Sequence, residues 1–567
     1  MMQFIRKHAL ALGMLVLSAL KIIMVGNLPL IAYPHATFDD ALMVTNAGTI
    51  LSQDWLGPYW ELTLAKGPFF PIFLAVSKLV SLPYLVSVTL FYLLACALFV
   101  QGIRGIFKNR IYLFILFAVL AYNPISFSAQ TFQRIYRSGV MPGLALIVFG
   151  CFFAVYLRRE QALRRQLPWM IGGGLGLAAL WLTREDGAWV LPFVAVCVAV
   201  TAGTLVYTFI KTRQRKFIIH AAMSVLPVAV FAAALLCVAL INHSYYGIFT
   251  TNELSGSNFS KAIKSIYAVR PTEDIAYVSV PQSTLEKIYE VSPSMESIQP
   301  QLDHAMFDWE INGVTPGDGE VEDGWFLWCF REAVSMSGYS DDAAAANKFY
   351  LNVHQEIEQA FSNGLLERRP TMPSALMSPW RASYAKQWLP ATLDAVRLIA
   401  GYGGTGAVLA YFDSAYNETL DLFAFMTGGN ILYEGTAVSD TYAPWLDSLV
   451  SACNAVAAAY QNSGLPLFFA GLAAYAALTV WMLMRRKGKP NGAVDVWLIT
   501  TATLLSVLVL AAGVAYTHIS AFYAINSAYL AGAYPLLSAF AAVSLLYLAQ
   551  TAIFMFRERR NAHGQPV

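Results

Sequence analysis

Residues 217–241 read FIIHAAMSVLPVAVFAAALLCVALI. The run holds no Asp, Glu, Lys or Arg, and a helix needs about 20 mainly apolar residues to cross ~30 Å of hydrocarbon. Lys211, Arg213, Arg215 and Lys216 stand just before it, and from His243 onward the composition becomes that of a soluble domain. Basic short loops stay in the cytoplasm while long loops cross regardless of charge. The segment therefore reads as a membrane span that leaves the cytoplasm and opens into a large outer domain.

The same pattern extends in both directions. The chain of 567 residues is 57% hydrophobic and only 13% charged, against roughly a quarter charged in a soluble domain. Basic clusters punctuate the apolar runs at Arg6/Lys7, Arg104/Lys108/Arg110, Arg158/Arg159/Arg164/Arg165, Lys211/Arg213/Arg215/Lys216, Arg485/Arg486/Lys487/Lys489 and Arg557/Arg559/Arg560. They hold 20 of the 37 Lys and Arg but only two acids, Glu160 and Glu558, which leaves 17 basic residues against 33 acidic ones elsewhere.

Placing these clusters inside predicts an all-α polytopic protein of a bacterial inner membrane, with about ten spans and both termini cytoplasmic. The expected spans are 9–33, 82–103, 111–124, 140–157, 168–183, 188–210, 217–241, 466–484, 494–516 and 527–556. Residues 69–81 read as an interfacial or half-buried segment. The first apolar run lacks a small-x-small cleavage site and reads as a retained helix, not a signal peptide.

Three regions follow: a membrane module over 1–242, a mainly helical extracytoplasmic domain over 243–465, and closing membrane helices over 466–567. Within the outer domain, apolar spacing and the Asp342 cap predict a helix over 343–364. Residues 275–280 suggest a short strand, and 393–412 are apolar enough for a transmembrane helix, with Asp394, Arg397 and four glycines fitting a packed helix or a re-entrant piece equally well.

The first outer loop, 34–68, carries two adjacent carboxylates in Thr37-Phe38-Asp39-Asp40-Ala41-Leu42. One reading is a helix cap, where Asp is favoured and complements the dipole. The other is a general base at the membrane surface, with its neighbour orienting the acceptor or holding a cation. Lys66, in Leu64-Ala65-Lys66-Gly67-Pro68-Phe69-Phe70-Pro71, either binds a lipid phosphate or pairs with an acid. A second charged site, Thr183-Arg184-Glu185-Asp186-Gly187, forms nearly the whole connection between two spans. Three charges there read either as a tight polar turn or as the wall of a polar cavity. Arg134, Arg137 and Arg184 are the arginines of the short outer loops, and their planar forks match phosphate geometry.

An acid pair in the first outer loop, followed by Lys66-Gly67-Pro68-Phe69-Phe70-Pro71, resembles the GT-C glycosyltransferases. The protein O-mannosyltransferase and lipid A aminoarabinose transferase families are the nearest types. Leu182-Thr183-Arg184 with Pro192 is similar to a Leu-Thr-Lys-Gly turn in those enzymes, and Ala528-Tyr529-Leu530-Ala531-Gly532-Ala533-Tyr534-Pro535 to their late Arg-Tyr…Pro element. Ser527 and Ala528 stand where the family often has an arginine, so another cation has to meet the donor phosphate.

The resemblance covers the first 240 residues and the last spans. It implies a polyprenyl-phosphate sugar donor, a glycan, lipid or protein acceptor outside the membrane, and hexosyl or pentosyl transfer with inversion. Asp39 or Asp40 would be the base, with Asp39 preferred as the first of the motif pair. Lys66, Arg134, Arg137, Arg184, Glu185 and Asp186 would line the donor phosphate and substrate. A divalent cation is compatible with this chemistry, but nothing in the sequence calls for one.

Other features carry less. The acidic, glycine-rich segment Gly317-Asp318-Gly319-Glu320-Val321-Glu322-Asp323-Gly324 lacks the ligand spacing of a calcium loop. The histidines show no pair at metal spacing, and no basic aromatic stripe for nucleic acid is present. Trp325-Phe326-Leu327-Trp328 reads first as domain core and second as a sugar-stacking surface. Cys329 and Cys453 lie outside the expected spans, where a disulfide is permitted. Lys21 sits inside the first helix, either snorkelling outward or facing a cavity. The alternative function is a transporter or flippase of lipid-linked glycans. A non-catalytic assembly protein is a third reading.

Overall fold

Backbone surrounded by lipid must satisfy its own N–H and C=O groups, which favours helices along the apolar runs. The computed structural model describes residues 2–312, 319–371, 374–409, 418–429, 431, 443–484 and 492–562. Among them the regular structure is helical, with isolated bridges in place of strands.

The first part of the chain forms α1 Met2–Gly26, α2 Asp40–Leu51, α3 Phe69–Leu79, α4 Tyr84–Gly102, α5 Arg110–Ala121, α6 Met141–Leu157, α7 Leu163–Trp181, α8 Leu191–Thr212, α9 Arg215–Met223 and α10 Leu226–Tyr246. The middle part forms α11 Asn258–Ala268, α12 Gln282–Val291, α13 Pro293–Ser297, α14 Gln299–Asn312, α15 Asp323–Met336 and α16 Ala343–Ser362. The last part forms α17 Ala385–Ala400, α18 Glu418–Thr427, α19 Ala443–Met484, α20 Ala493–Ser520 and α21 Ala533–Ala562.

Among the described residues seven segments are long and apolar enough to cross a membrane: α4, Arg137–Leu157, Gly187–Thr212, Arg215–Tyr246, α19, α20 and Ala533–Phe556. Leu10–Gly26, α3 and α5 are shorter apolar helices. The chain is a multi-pass helical membrane protein. One apolar core runs through the first and last helices, and a second belongs to the segment from Leu254 to Ala375. Cys329 lies buried in the second core and Cys453 in the first, both as free thiols, so they form no disulfide.

Contacts sort the charges between the two ends of the bundle. Arg158, at the end of α6, donates to the carbonyls of Gln101 and Gly102 at the end of α4, both at 2.7 Å. Lys108 meets Gln550, and the carbonyl of Arg159 meets His220. The described basic loops thus share one end, while the turns carrying Arg137 and Arg184 lie at the opposite ends of α6 and α7. The basic cluster 485–489 lies outside the described residues.

Several expected boundaries move. Helix α1 stops at Gly26 instead of residue 33, and Leu30 and Ile31 make isolated bridges to Ile431 and Arg134. Residues 275–280 form no strand, only an isolated Ile275–Val278 bridge. Asp342 does cap α16, accepting from the N–H groups of Ala344 and Ala345. The closing span begins 23 residues before 466, because α19 runs from Ala443 without a break through Pro466. Its 42 residues would span about 63 Å, twice the hydrocarbon layer.

The polar side chains that hid the first half of α19 from hydropathy have partners. Asn454 brackets both backbone groups of Ala407 at 2.9 Å, and Gln461 donates to Thr405 O at 3.0 Å. They satisfy the irregular, partly buried chain that follows α17. Of the expected 393–412 element, 393–400 is the end of α17, 401–409 is this irregular piece, and 410–412 lie outside the described residues.

Lys21 neither snorkels nor lines an open cavity. It is buried, bonded through Nζ to Ser126, and ringed by Tyr92, Tyr122 and Phe127 at 5.1–5.6 Å.

Helices α4 and α6 cross at glycine. A Cβ on Gly150 would stand 2.6 Å from Phe99 Cα, and one on Gly102 2.3 Å from Gly150 O, both backbone atoms that cannot rotate away. Small residues permit such close approach between membrane helices. Gly150→Val is expected to destabilise the fold by about 1–3 kcal/mol through overpacking. Gly105→Ala, with open space around it, should be neutral. Thermal unfolding in detergent reads both.

Candidate active site

Asp39 stands at the N-cap of α2 and Asp40 is its first residue, so successive positions turn the two carboxylates in different directions. Asp39 makes no capping bond to its own helix. Its Oδ1 accepts from Lys66 Nζ and, at 2.7 Å, from the hydroxyl of Tyr136. Asp40 is fully buried and takes the guanidinium of Arg134 in a fork, with Nε at 2.9 and 3.1 Å from its two oxygens and Nη2 closing the pair. The capping reading of the acid pair therefore fails, since each carboxylate is held by a cation from another part of the chain.

The Arg134–Arg137 loop is fixed from behind. Gln133 donates to Pro29 O at 2.9 Å and Val408 O at 2.8 Å, and accepts from Val408 N at 2.9 Å. The main chain of Ile31 bonds Gln133 and Ile135 on either side of Arg134. Tyr136 sits at the centre. Its hydroxyl donates to Asp39 and accepts from Arg137 Nε at 2.9 Å and Lys66 Nζ at 3.3 Å, which uses the one proton and two lone pairs it has. In the sequence Tyr136 is marked only by its place between Arg134 and Arg137.

The turn after α7 closes the set. Arg137 Nη1 bonds Glu185 at 2.7 Å, and Glu185 also accepts from Gly67 N at 3.3 Å, tying the turn to the Lys66 loop. Gly67 is required at that seam, because a Cβ there would stand 2.1 Å from Leu182 O. Arg184 forks onto Asp186 at 2.9 and 2.6 Å, donates to Ala528 O at 3.3 Å and lies 4.7 Å over the Tyr529 ring. The 528–529 segment thus presents a backbone carbonyl and a tyrosine ring to Arg184.

All eight expected residues come together, as four ion pairs: Asp39–Lys66, Asp40–Arg134, Glu185–Arg137 and Asp186–Arg184. The four acids are not equivalent. Asp40 and Glu185 have side-chain exposures of 0% and 8%, whereas Asp39 and Asp186 have 44% and 45% and can meet a ligand. Burial alone would raise the Asp39 pKa. The charges of Lys66 and Arg137 and the bonds from Lys66 and Tyr136 override it, holding the carboxyl well below the usual range.

A shared divalent cation does not fit the acid pair, since the two carboxylates diverge onto separate cations. Among the described residues no group of three or more His, Cys, Asp or Glu could hold a metal ion. Of the acidic segment 317–324, residues 317 and 318 lie outside the described residues, while Asp323 is buried with its carboxylate on Ser279.

Beside the 184–187 turn an apolar groove of about 270 Å³ opens between α6, α8 and α20. Trp189 lies at the turn end, with Phe193, Val196, Ala502 and Leu505 further along. Val196 and Leu505 are more than half exposed, so the groove faces the surroundings of the bundle.

Fold and site together define a multi-pass helical membrane protein with a charge-compensated crevice at one end of its bundle. No family model matches the sequence, and no curated protein matches it. Similar solved structures include the archaeal oligosaccharyltransferase AglB from Archaeoglobus fulgidus, in complex with an inhibitory peptide and a dolichol-phosphate. The identity is 10% and the TM-score 0.41, over 99% of this chain and 53% of that one, so this chain spans about half of AglB. ArnT from Cupriavidus metallidurans in the apo state is 14% identical with a TM-score of 0.32, over 89% of this chain and 78% of ArnT. ArnT bound to undecaprenyl phosphate gives 13% and 0.27, over 90% and 77%.

Asp40→Ala leaves the Arg134 guanidinium without its carboxylate and is expected to cost about 3–5 kcal/mol. Asp39→Asn should cost less, and its cost should depend on pH. Ionised Asp39 stabilises the fold above its unfolded-state pKa of about 3.9, and this is lost as pH falls toward the lower folded-state value. The stability gap between wild type and Asp39→Asn should therefore close below pH ~4, as measured by unfolding temperature against pH.

Proposed function

We propose that the protein is a GT-C-type glycosyltransferase that moves a sugar from a polyprenyl-phosphate donor to an acceptor outside a bacterial inner membrane. Both termini lie in the cytoplasm in this reading, and the outer domain is built on the second core, from Leu254 to Ala375. The observation that carries it is the half-open Asp39, bonded to Lys66 and Tyr136, within one crevice that also holds Arg137 and Arg184. An apolar groove beside that crevice suits the lipid chain of such a donor.

The reaction is a single displacement. The acceptor hydroxyl oxygen bonds the anomeric carbon, the bond from that carbon to the phosphate oxygen breaks, and the phosphate leaves with the electron pair. Asp39 takes the hydroxyl proton, and the configuration inverts. A carboxylate held well below its usual pKa is a weak base at rest. Transfer of Lys66 from Asp39 to the departing phosphate takes away the nearest positive charge, which raises the basicity of Asp39 as negative charge forms on the phosphate. Arg184 reaches the phosphate by exchanging its exposed partner Asp186, and preorganised cations aimed at developing charge are usually a large part of catalysis. Arg134–Asp40 and Arg137–Glu185 hold the loops in place.

The test is consumption of polyprenyl-phosphate sugars by the purified protein, followed by mass spectrometry. Asp39→Asn is expected to slow consumption by ~10²–10⁴ while the protein remains folded. Full turnover by Asp39→Asn would refute the assignment of the base.

A further inference from the structure

Helix α15 has two faces of different character. Phe326, Cys329 and Phe330 point into the second core and are buried. Trp325, Trp328 and Glu332 follow at spacings of three and four and share the other face. That face turns toward the first outer loop. Phe38, the residue before Asp39, lies edge-on to Trp309 of α14 at 4.8 Å and tilted against Trp328 at 5.4 Å. Trp309 lies tilted against Trp325 at 5.5 Å, and its indole N–H donates to Glu332 at 2.6 Å, which fixes the ring. The Trp328 ring lies 5.6 Å from Lys66 Nζ.

Four large rings are thus gathered beside the Asp39–Lys66 pair, and all four are partly buried without being fully covered. A contact that served only to pack the outer domain on the bundle would bury them, since indoles contribute most when covered. The reading of Trp325–Trp328 as domain core holds for Phe326, which is buried, and for Trp325 and Leu327, which pack against the second core, whereas Trp328 packs against the first core on the bundle side.

We propose that Phe38, Trp309, Trp325 and Trp328 form a stacking platform for the ring of a sugar, placed over Asp39 on the outer-domain side of the site. The negative face of an aromatic ring attracts the polarised C–H bonds along one side of a sugar. The platform sits within reach of Asp39, where a reacting ring has to lie, and Lys66 at its edge is left to meet oxygen. This inference rests on the glycosyl-transfer reading and adds what selects the sugar.

The test measures binding to the full-length protein in nanodiscs. The ligands are undecaprenyl phosphate, the same lipid carrying mannose, glucose or arabinose, and the free glycans cellotriose and chitotriose. Wild type is compared with Trp328→Leu, Trp328→Phe and Trp309→Leu. A sugar on the lipid is expected to tighten binding roughly two- to tenfold over the bare lipid phosphate. Either leucine variant should remove that gain, Trp328→Phe should keep most of it, and the bare lipid should bind all four proteins alike. Leucine-sensitive binding of a free glycan would assign the platform to the acceptor's ring instead. No sugar-dependent gain and no leucine-sensitive glycan binding would overturn the platform while leaving the lipid-phosphate reading intact. So would a loss that falls equally on the bare lipid. Failure of every lipid to bind wild type would overturn both.

Discussion

Four carboxylates and four cations meet in one crevice at one end of the bundle, and each carboxylate is taken by a cation of its own. Several of these groups are nearly or fully buried, a state in which an unpaired charge would be prohibitively unfavourable. Pairing is therefore the condition under which the first outer loop, the Arg134–Arg137 loop and the turn after α7 can lie together. The same condition gives the crevice its chemistry. Two pairs are locked by burial, and two present a half-open acid that a ligand can displace or use. An incoming phosphate would add negative charge to a balanced set, and it can be accommodated only by a cation that changes partners.

The scaffold behind the crevice handles the backbone in the same way. Residues 401–409, which follow α17, run irregularly against the bundle. Their polar groups are satisfied by Gln133, Asn454 and Gln461, with Tyr534 donating to Gly403 O at 2.7 Å. Gln133 belongs to this support and to the Arg134 loop at once, so the elements that hold the arginines also complete the interior. Close backbone contact at Gly67 sets Lys66 against the 182–185 turn.

Much of the bundle was legible in the sequence, because long apolar runs flanked by basic residues have few alternatives. The expected spans at 82–103, 188–210, 494–516 and 527–556 overlie α4, α8, α20 and α21. What escaped were elements whose partners decide their form. Helix α19 was cut short because Asn454 and Gln461 look like surface residues until the chain they hold is known. The end of α1 was overrun because the apolar residues Leu28 to Ile31 pack inside without being helical. At the site, residue types and order along the chain were enough to bring out the eight charged residues. Their pairing was not readable, since adjacent Asp39 and Asp40 serve different cations 27 and 94 residues away. Tyr136, the hub of the network, and the split faces of α15 needed three-dimensional neighbours to be seen.

The most direct measurement is a cryo-electron-microscopy map of the protein with undecaprenyl phosphate. The account requires the phosphate to sit in the crevice, in contact with Arg184 and Lys66, with Asp186 released from Arg184 and the lipid chain in the groove beside Trp189. A phosphate bound elsewhere, with all four ion pairs unchanged, would contradict it.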